Sequence, residues 1–127
     1  MSWSRILPTG YANIVSKDGI KYYNNLIDEL EKNNIIPMVK IYHWDHPQLF
    51  QEIGGWTNEV MVDLFGDYAR VVFKEFGRRV KIFTTINEPN IVCENEYYTG
   101  DYAPGKISIF IFFACYYTFK DISILML

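Results

Sequence analysis

The chain has 127 residues, 50% hydrophobic and 17% aromatic, with a formal net charge of −3. That composition excludes a disordered segment. An acidic chain in which no run of Lys or Arg exceeds two residues also lacks the basic surface that a nucleic-acid backbone requires.

Met1-Ser2-Trp3-Ser4-Arg5 shows no basic region followed by an apolar one, and no Asn-x-Ser/Thr acceptor occurs, so nothing here marks a secreted chain. Over residues 20–32, Ile20, Tyr23, Ile27 and Leu30 recur at spacings of three and four, which predicts an amphipathic helix packed outside a sheet. Residues 35–44 (IIPMVKIYHW) read as a strand, with Pro37 near its start where a missing N–H does least harm, and His43 at its C-terminal end. A polar, glycine-containing loop follows over residues 45–55. Thr57 is then the expected cap of a helix with Glu59 in its first turn, a buried stripe of Val60, Leu64, Phe65, Tyr68, Val72 and Phe76, and a stop at Gly77.

Residues 80–86 (VKIFTTI) are dense in β-branched and aromatic side chains and read as a second strand. Strand, loop, helix, turn, strand is a βαβ unit, so the two strands are expected to be parallel neighbours that end at one face. The second strand stops at Asn87 and Glu88. Pro89 disfavours helical geometry for Glu88, so an extended, half-buried acid is expected there, with burial raising its pKa toward the range of a general acid. Strand alternation would send Asn87 and Glu88 to opposite sides, so both reach one pocket only if the backbone departs from strand geometry there.

From Ile107 the text changes to ISIFIFFACYYTFKDISILML, with no helical stripe and little charge before Lys120. Its apolar stretch, residues 107–119, is shorter than the roughly 20 residues of a membrane span. It reads as an aggregation-prone segment, and as a tail from a mispredicted or alternatively spliced transcript. Cys93 and Cys115 are too few and too far apart to define a disulfide framework, and leave the redox compartment undecided. His43-x-Asp45-His46 is a poor metal motif, since ligands so close in sequence rarely converge without a fourth from elsewhere.

Ser2-Trp3-Ser4-Arg5-Ile6-Leu7-Pro8, Tyr42-His43-Trp44-Asp45, Pro47-Gln48, Gly54-Gly55-Trp56, Thr85-Ile86-Asn87-Glu88-Pro89 and Asp101-Tyr102-Ala103-Pro104-Gly105 follow one another in that order. Together they resemble glycoside hydrolase family 1, the β-glucosidase family, and most of all its animal, insect-like members. The resemblance runs over residues 1–106 and stops before the apolar tail, residues 107–127. It implies an α/β fold, a piece of a (β/α)8 TIM barrel covering about strands 2 to 4. A whole barrel needs roughly 250 residues.

The resemblance also implies retaining hydrolysis of a small-molecule β-glycoside without cofactor or metal. Glu88 would be the catalytic acid/base, Asn87 a donor to the sugar 2-hydroxyl, His43 a partner of a sugar hydroxyl, Trp44 a wall of the site, and Arg5 the support of the nucleophilic carboxylate. That nucleophile is a second Glu in a Thr-Glu-Asn-Gly motif, which does not occur here; the chain alone is therefore expected to be inactive, with Arg5 semi-buried and lacking its carboxylate. The family implies secretion or the gut lumen. His46 stands where relatives commonly carry Leu, and Arg78 where they carry Asp. The alternative is a non-catalytic truncated isoform, a binding or regulatory chain that self-associates through an open sheet edge.

Overall fold

The computed structural model describes residues 1–125, with side chains up to residue 122. The chain divides into two compact units, one made of Met1–Pro47 with Asp67–Asn87, the other of Gln48–Gly66 with Glu88 onward. The elements in chain order are α1 (Trp3–Ile6), α2 (Lys17–Lys32), β1 (Met38–Tyr42), α3 (Gln48–Glu52), a 3-10 turn (Gly55–Thr57), α4 (Val60–Phe76), β2 (Ile82–Ile86), α5 (Pro89–Tyr97) and α6 (Ile109–Leu125).

In the first unit, α2 starts at Lys17, three residues before the expected apolar stripe, because Ser16 caps it: its Oγ accepts from Gly19 N at 3.0 Å. Tyr23 and Ile27 are buried, and Ile20 and Leu30 half-buried, as the spacing predicts. β1 and β2 are parallel neighbours in the register Met38↔Ile82 to Tyr42↔Ile86, which bears out the βαβ reading. Both strands are shorter than their β-rich runs. Ile35 and Ile36 stay exposed ahead of Pro37, which has no N–H for a ladder. Val80 is buried, but its N–H bonds the Phe76 carbonyl at the end of α4 instead of joining the sheet.

The core of this unit centres on Trp3, whose ring stacks on Tyr68 with centroids 4.7 Å apart. The Tyr68 hydroxyl donates to the Ile41 carbonyl at 3.1 Å, and burial pushes its pKa well up. Arg79, in the turn before β2, reaches back to Asp28 and Glu31 of α2 at 2.6 Å each.

Several expectations need correction. Thr57 does not cap α4: it lies in the 3-10 turn and its hydroxyl donates to Gly54 O, while the Asn58 side chain accepts from Val60 N at 3.1 Å. Val60 is exposed and Leu64 only half-buried; the buried stripe is Met61, Phe65, Tyr68, Val72 and Phe76. Those spacings of three and four keep one helix face inward, whereas Val60 falls a step outside it.

In the second unit the apolar tail forms a helix, not a β-prone segment. α6 packs on α5 and on the 3-10 turn, with Trp56 and Phe119 centroids 4.3 Å apart. Cys93 of α5 and Cys115 of α6, both fully buried, form a disulfide across a sequence separation of 22, so the two cysteines do define a bridge. The absence of an amphipathic stripe did not preclude a helix, because buried partners lie on one side and Phe110, Phe113 and Tyr117 remain exposed. Among the described residues no helix is long and apolar enough to cross a membrane.

Candidate active site

Because β1 and β2 run parallel, the residues that follow them leave the sheet at the same end. His43 and Trp44 follow β1, and Asn87 follows β2. The backbone of Asn87 is held on both sides: its N–H donates to the Tyr42 carbonyl at 3.0 Å, and its carbonyl accepts from Trp44 Nε1 at 2.9 Å. Trp44 reaches that position from a left-handed backbone with φ of 70°. The Asn87 side-chain Oδ1 accepts from the Lys40 ammonium. The Tyr42 hydroxyl is bonded to His46 Nδ1 at 3.1 Å, joining the two residues that bracket the loop of His43 and Trp44.

His43 is exposed, so it is not a core histidine. Its ring stands edge-on to Trp44, with centroids 5.9 Å apart. It also lines a cavity of about 220 Å³ shared with Met1, Tyr23, Met38 and Lys40. Arg5 departs from expectation: it is exposed, not semi-buried, and its guanidinium lies over the Tyr22 ring at 4.2 Å. The first unit thus gathers Asn87, Trp44 and His43 at the strand ends, while the packing of Arg5 is against α2.

The second unit begins with Glu88. The expected extended conformation is not found: Glu88 has φ 44° and ψ 60° and forms the N-cap of α5, with Pro89 at its first position. Proline excludes right-handed helical geometry for the residue before it. The left-handed region lets the chain turn straight into a helix whose first bond runs from Val92 N to Glu88 O at 3.1 Å. The departure from strand geometry demanded by the Asn-Glu alternation therefore falls at Glu88 itself. The expected half-burial also fails, since Glu88 is exposed; a carboxyl on the first residue after a two-stranded sheet has no further strand end beside it among the described residues.

The buried acid lies elsewhere. Glu96 on α5 is 3% exposed, and burial pushes its pKa up to about 8. Next to it, the Tyr97 hydroxyl donates to Gln51 Oε1 at 3.2 Å and accepts from Trp56 N at 3.4 Å. Sequence reading missed both Lys40 and Glu96. A charge inside the apolar run MVKIY was the available signal for Lys40; for Glu96 it was its place between buried Cys93 and Tyr97 on one helix. Among the described residues no group of three His, Cys, Asp or Glu could hold a metal ion.

An amide, an imidazole and an indole thus stand at the ends of two parallel strands, the place where barrel folds carry their sites. The family model described as Glycosyl hydrolase family 1 matches residues 1–121. The chain belongs to that family, and the match continues past Lys106 through most of α6.

Myrosinase 1 of Brevicoryne brassicae is 55% identical over 105 residues, covering 83% of this chain and 22% of its own length. The cytosolic β-glucosidase of Cavia porcellus is 44% identical over 86% of this chain and 23% of its own. Among solved structures, the Thermotoga maritima β-glucosidase in complex with deoxynojirimycin superposes with a TM-score of 0.92 at 41% identity, over 96% of this chain and 27% of that one. Aphid myrosinase superposes with a TM-score of 0.88 at 49% identity, over 92% and 25%. The chain thus spans about a quarter of the length of these relatives.

Proposed function

We propose that these residues are the acid/base side of a retaining β-glycosidase site, and that they supply roughly strands two to four of its (β/α)8 barrel. Glu88 protonates the departing glycosidic oxygen and later takes a proton from water. Asn87 donates to the 2-hydroxyl, His43 bonds a second hydroxyl, Trp44 forms the wall, and Arg5 supports a nucleophilic carboxylate on another strand. Substrates are β-glucosides or β-galactosides. The observation that carries this reading is the backbone clamp on Asn87, which fixes the residue immediately before the acid at the C-terminal end of β2.

The 127 residues contain no Thr-Glu-Asn-Gly motif, and on their own they turn over negligible substrate. Two assays test the reading. In a chain that joins these residues to the remaining strands, Glu88→Gln lowers aryl β-glucoside hydrolysis by about 10²–10⁴-fold; unchanged hydrolysis overturns the role of Glu88. In the 127-residue chain, hydrolysis abolished by Glu88→Gln overturns the claim of inactivity. The buried disulfide favours an oxidising compartment, and with it secretion or the gut lumen.

One observation favours a second, non-catalytic reading. Among the described residues the sheet has two strands, so each keeps an edge without a strand neighbour. Sedimentation of the pure chain as a monomer would dismiss self-association through that edge.

A further inference from the structure

We propose that Lys40 is a positioning residue for Asn87, setting which end of its amide is offered to the sugar; this rests on the reading of Asn87 as the 2-hydroxyl donor. Lys40 is the one charged residue of β1 and is half-buried opposite Thr84 in the parallel register. Asn87 follows three residues later along the neighbouring strand, about 10 Å further at the usual strand rise. The lysine arm lies along that direction and its ammonium meets Asn87 Oδ1.

The identity of the partner settles the orientation of the amide. Oxygen and nitrogen of an asparagine amide have nearly the same shape, and only the partners distinguish them. A lysine ammonium has donors and no acceptor, so the atom facing it is the oxygen. The Nδ2 end is thereby turned away from Lys40 as a donor, which is the polarity that a hydroxyl oxygen needs. The Asn87 backbone is held through its N–H and its carbonyl, and the Lys40 contact adds a hold on the side-chain oxygen. A charge on the carbonyl oxygen also polarises the amide and makes its N–H a stronger donor. An apolar residue at position 40 would supply neither effect.

The test uses the 127-residue chain with labelled asparagine, and Lys40→Met, which keeps the arm and loses the donors, beside Lys40→Arg, which keeps a donor. In NMR spectra, Lys40→Met moves the Asn87 Cγ and Nδ2 resonances and Lys40→Arg restores them. Resonances that stay in place in Lys40→Met while circular dichroism is unchanged overturn the contact and the proposal with it. In a chain that joins these residues to the remaining strands, binding of a glucose-configured iminosugar is then compared with that of its analogue lacking the hydroxyl adjacent to the anomeric position. Lys40→Met weakens the first by about tenfold and leaves the second unchanged. If Asn87→Ala removes this discrimination and Lys40→Met does not, Lys40 is no positioning residue. If Asn87→Ala leaves it intact, the reading of Asn87 fails, and the resonances alone decide whether Lys40 orients the amide.

Discussion

Trp44 Nε1 donates to the Asn87 carbonyl at 2.9 Å, tying the loop after β1 to the residue that ends β2. Trp44→Phe keeps an aromatic ring and removes the donor, and lowers stability by about 1 kcal/mol in urea unfolding. Equal unfolding midpoints for the two chains would show that the bond contributes nothing to holding the strand ends together.

Gly19 on α2 marks a second close approach. A Cβ there would stand 2.0 Å from the Arg5 carbonyl oxygen, a backbone atom that cannot swing aside. Gly19→Ala therefore forces α1 away from α2 and destabilises the chain by about 1–3 kcal/mol, despite the better helix propensity of alanine. A melting temperature equal to or above that of the parent would show that α1 yields without cost.

Glu96 makes stability depend on pH. Unfolded, it loses its proton near the ordinary value of 4.5; folded, burial keeps it protonated up to about 8. Between these values the folded state binds more protons, so this contribution is full below 4.5, declines as the pH rises, and is gone above about 8. Glu96→Gln removes the slope and gains on the order of 3 kcal/mol near pH 7. Denaturant melts of both chains at pH 5, 7 and 9 test this; parallel pH profiles would refute it.

The Cys93–Cys115 bridge closes a loop of 22 residues, for which chain entropy gives about 3 kcal/mol of stabilisation. Replacing both cysteines by serine removes that amount and abolishes the response of the melting temperature to reductant. A parent chain whose melting is indifferent to dithiothreitol would show that the bridge does not stabilise the packing of α6 on α5.

Legibility followed the length scale of each cause. The helix α2 and the parallel βαβ arrangement of β1, α4 and β2 were readable because β-branched runs and a 3.6-residue period act over a few neighbours. The identity of the strand-end residues was readable through their order along the chain. The stripe of α4 begins at Met61 and not at Val60 because burial depends on which face meets the core, and Val60 points off that face. Glu88 was misjudged because the proline rule excludes one region of backbone space without choosing between those that remain, and the start of α5 chose the left-handed one. The packing of α6 on α5 and the disulfide arise from contacts between segments about 20 residues apart, for which no local pattern exists. Lys40 was legible only as an oddity, a charge in an apolar strand, until Asn87 supplied its partner.

Each of the two units is discontinuous along the chain: residues 48–66 interrupt the first, and residues 67–87 interrupt the second. Among the described residues β1 pairs only with Ile82–Ile86, and during synthesis the peptide group of Asn87 cannot be clamped before that strand has emerged. A cut at any bond within residues 48–87 divides both units between the two fragments, so a protease nick anywhere in that stretch injures both. Neither unit can be excised as one uninterrupted segment of its own residues.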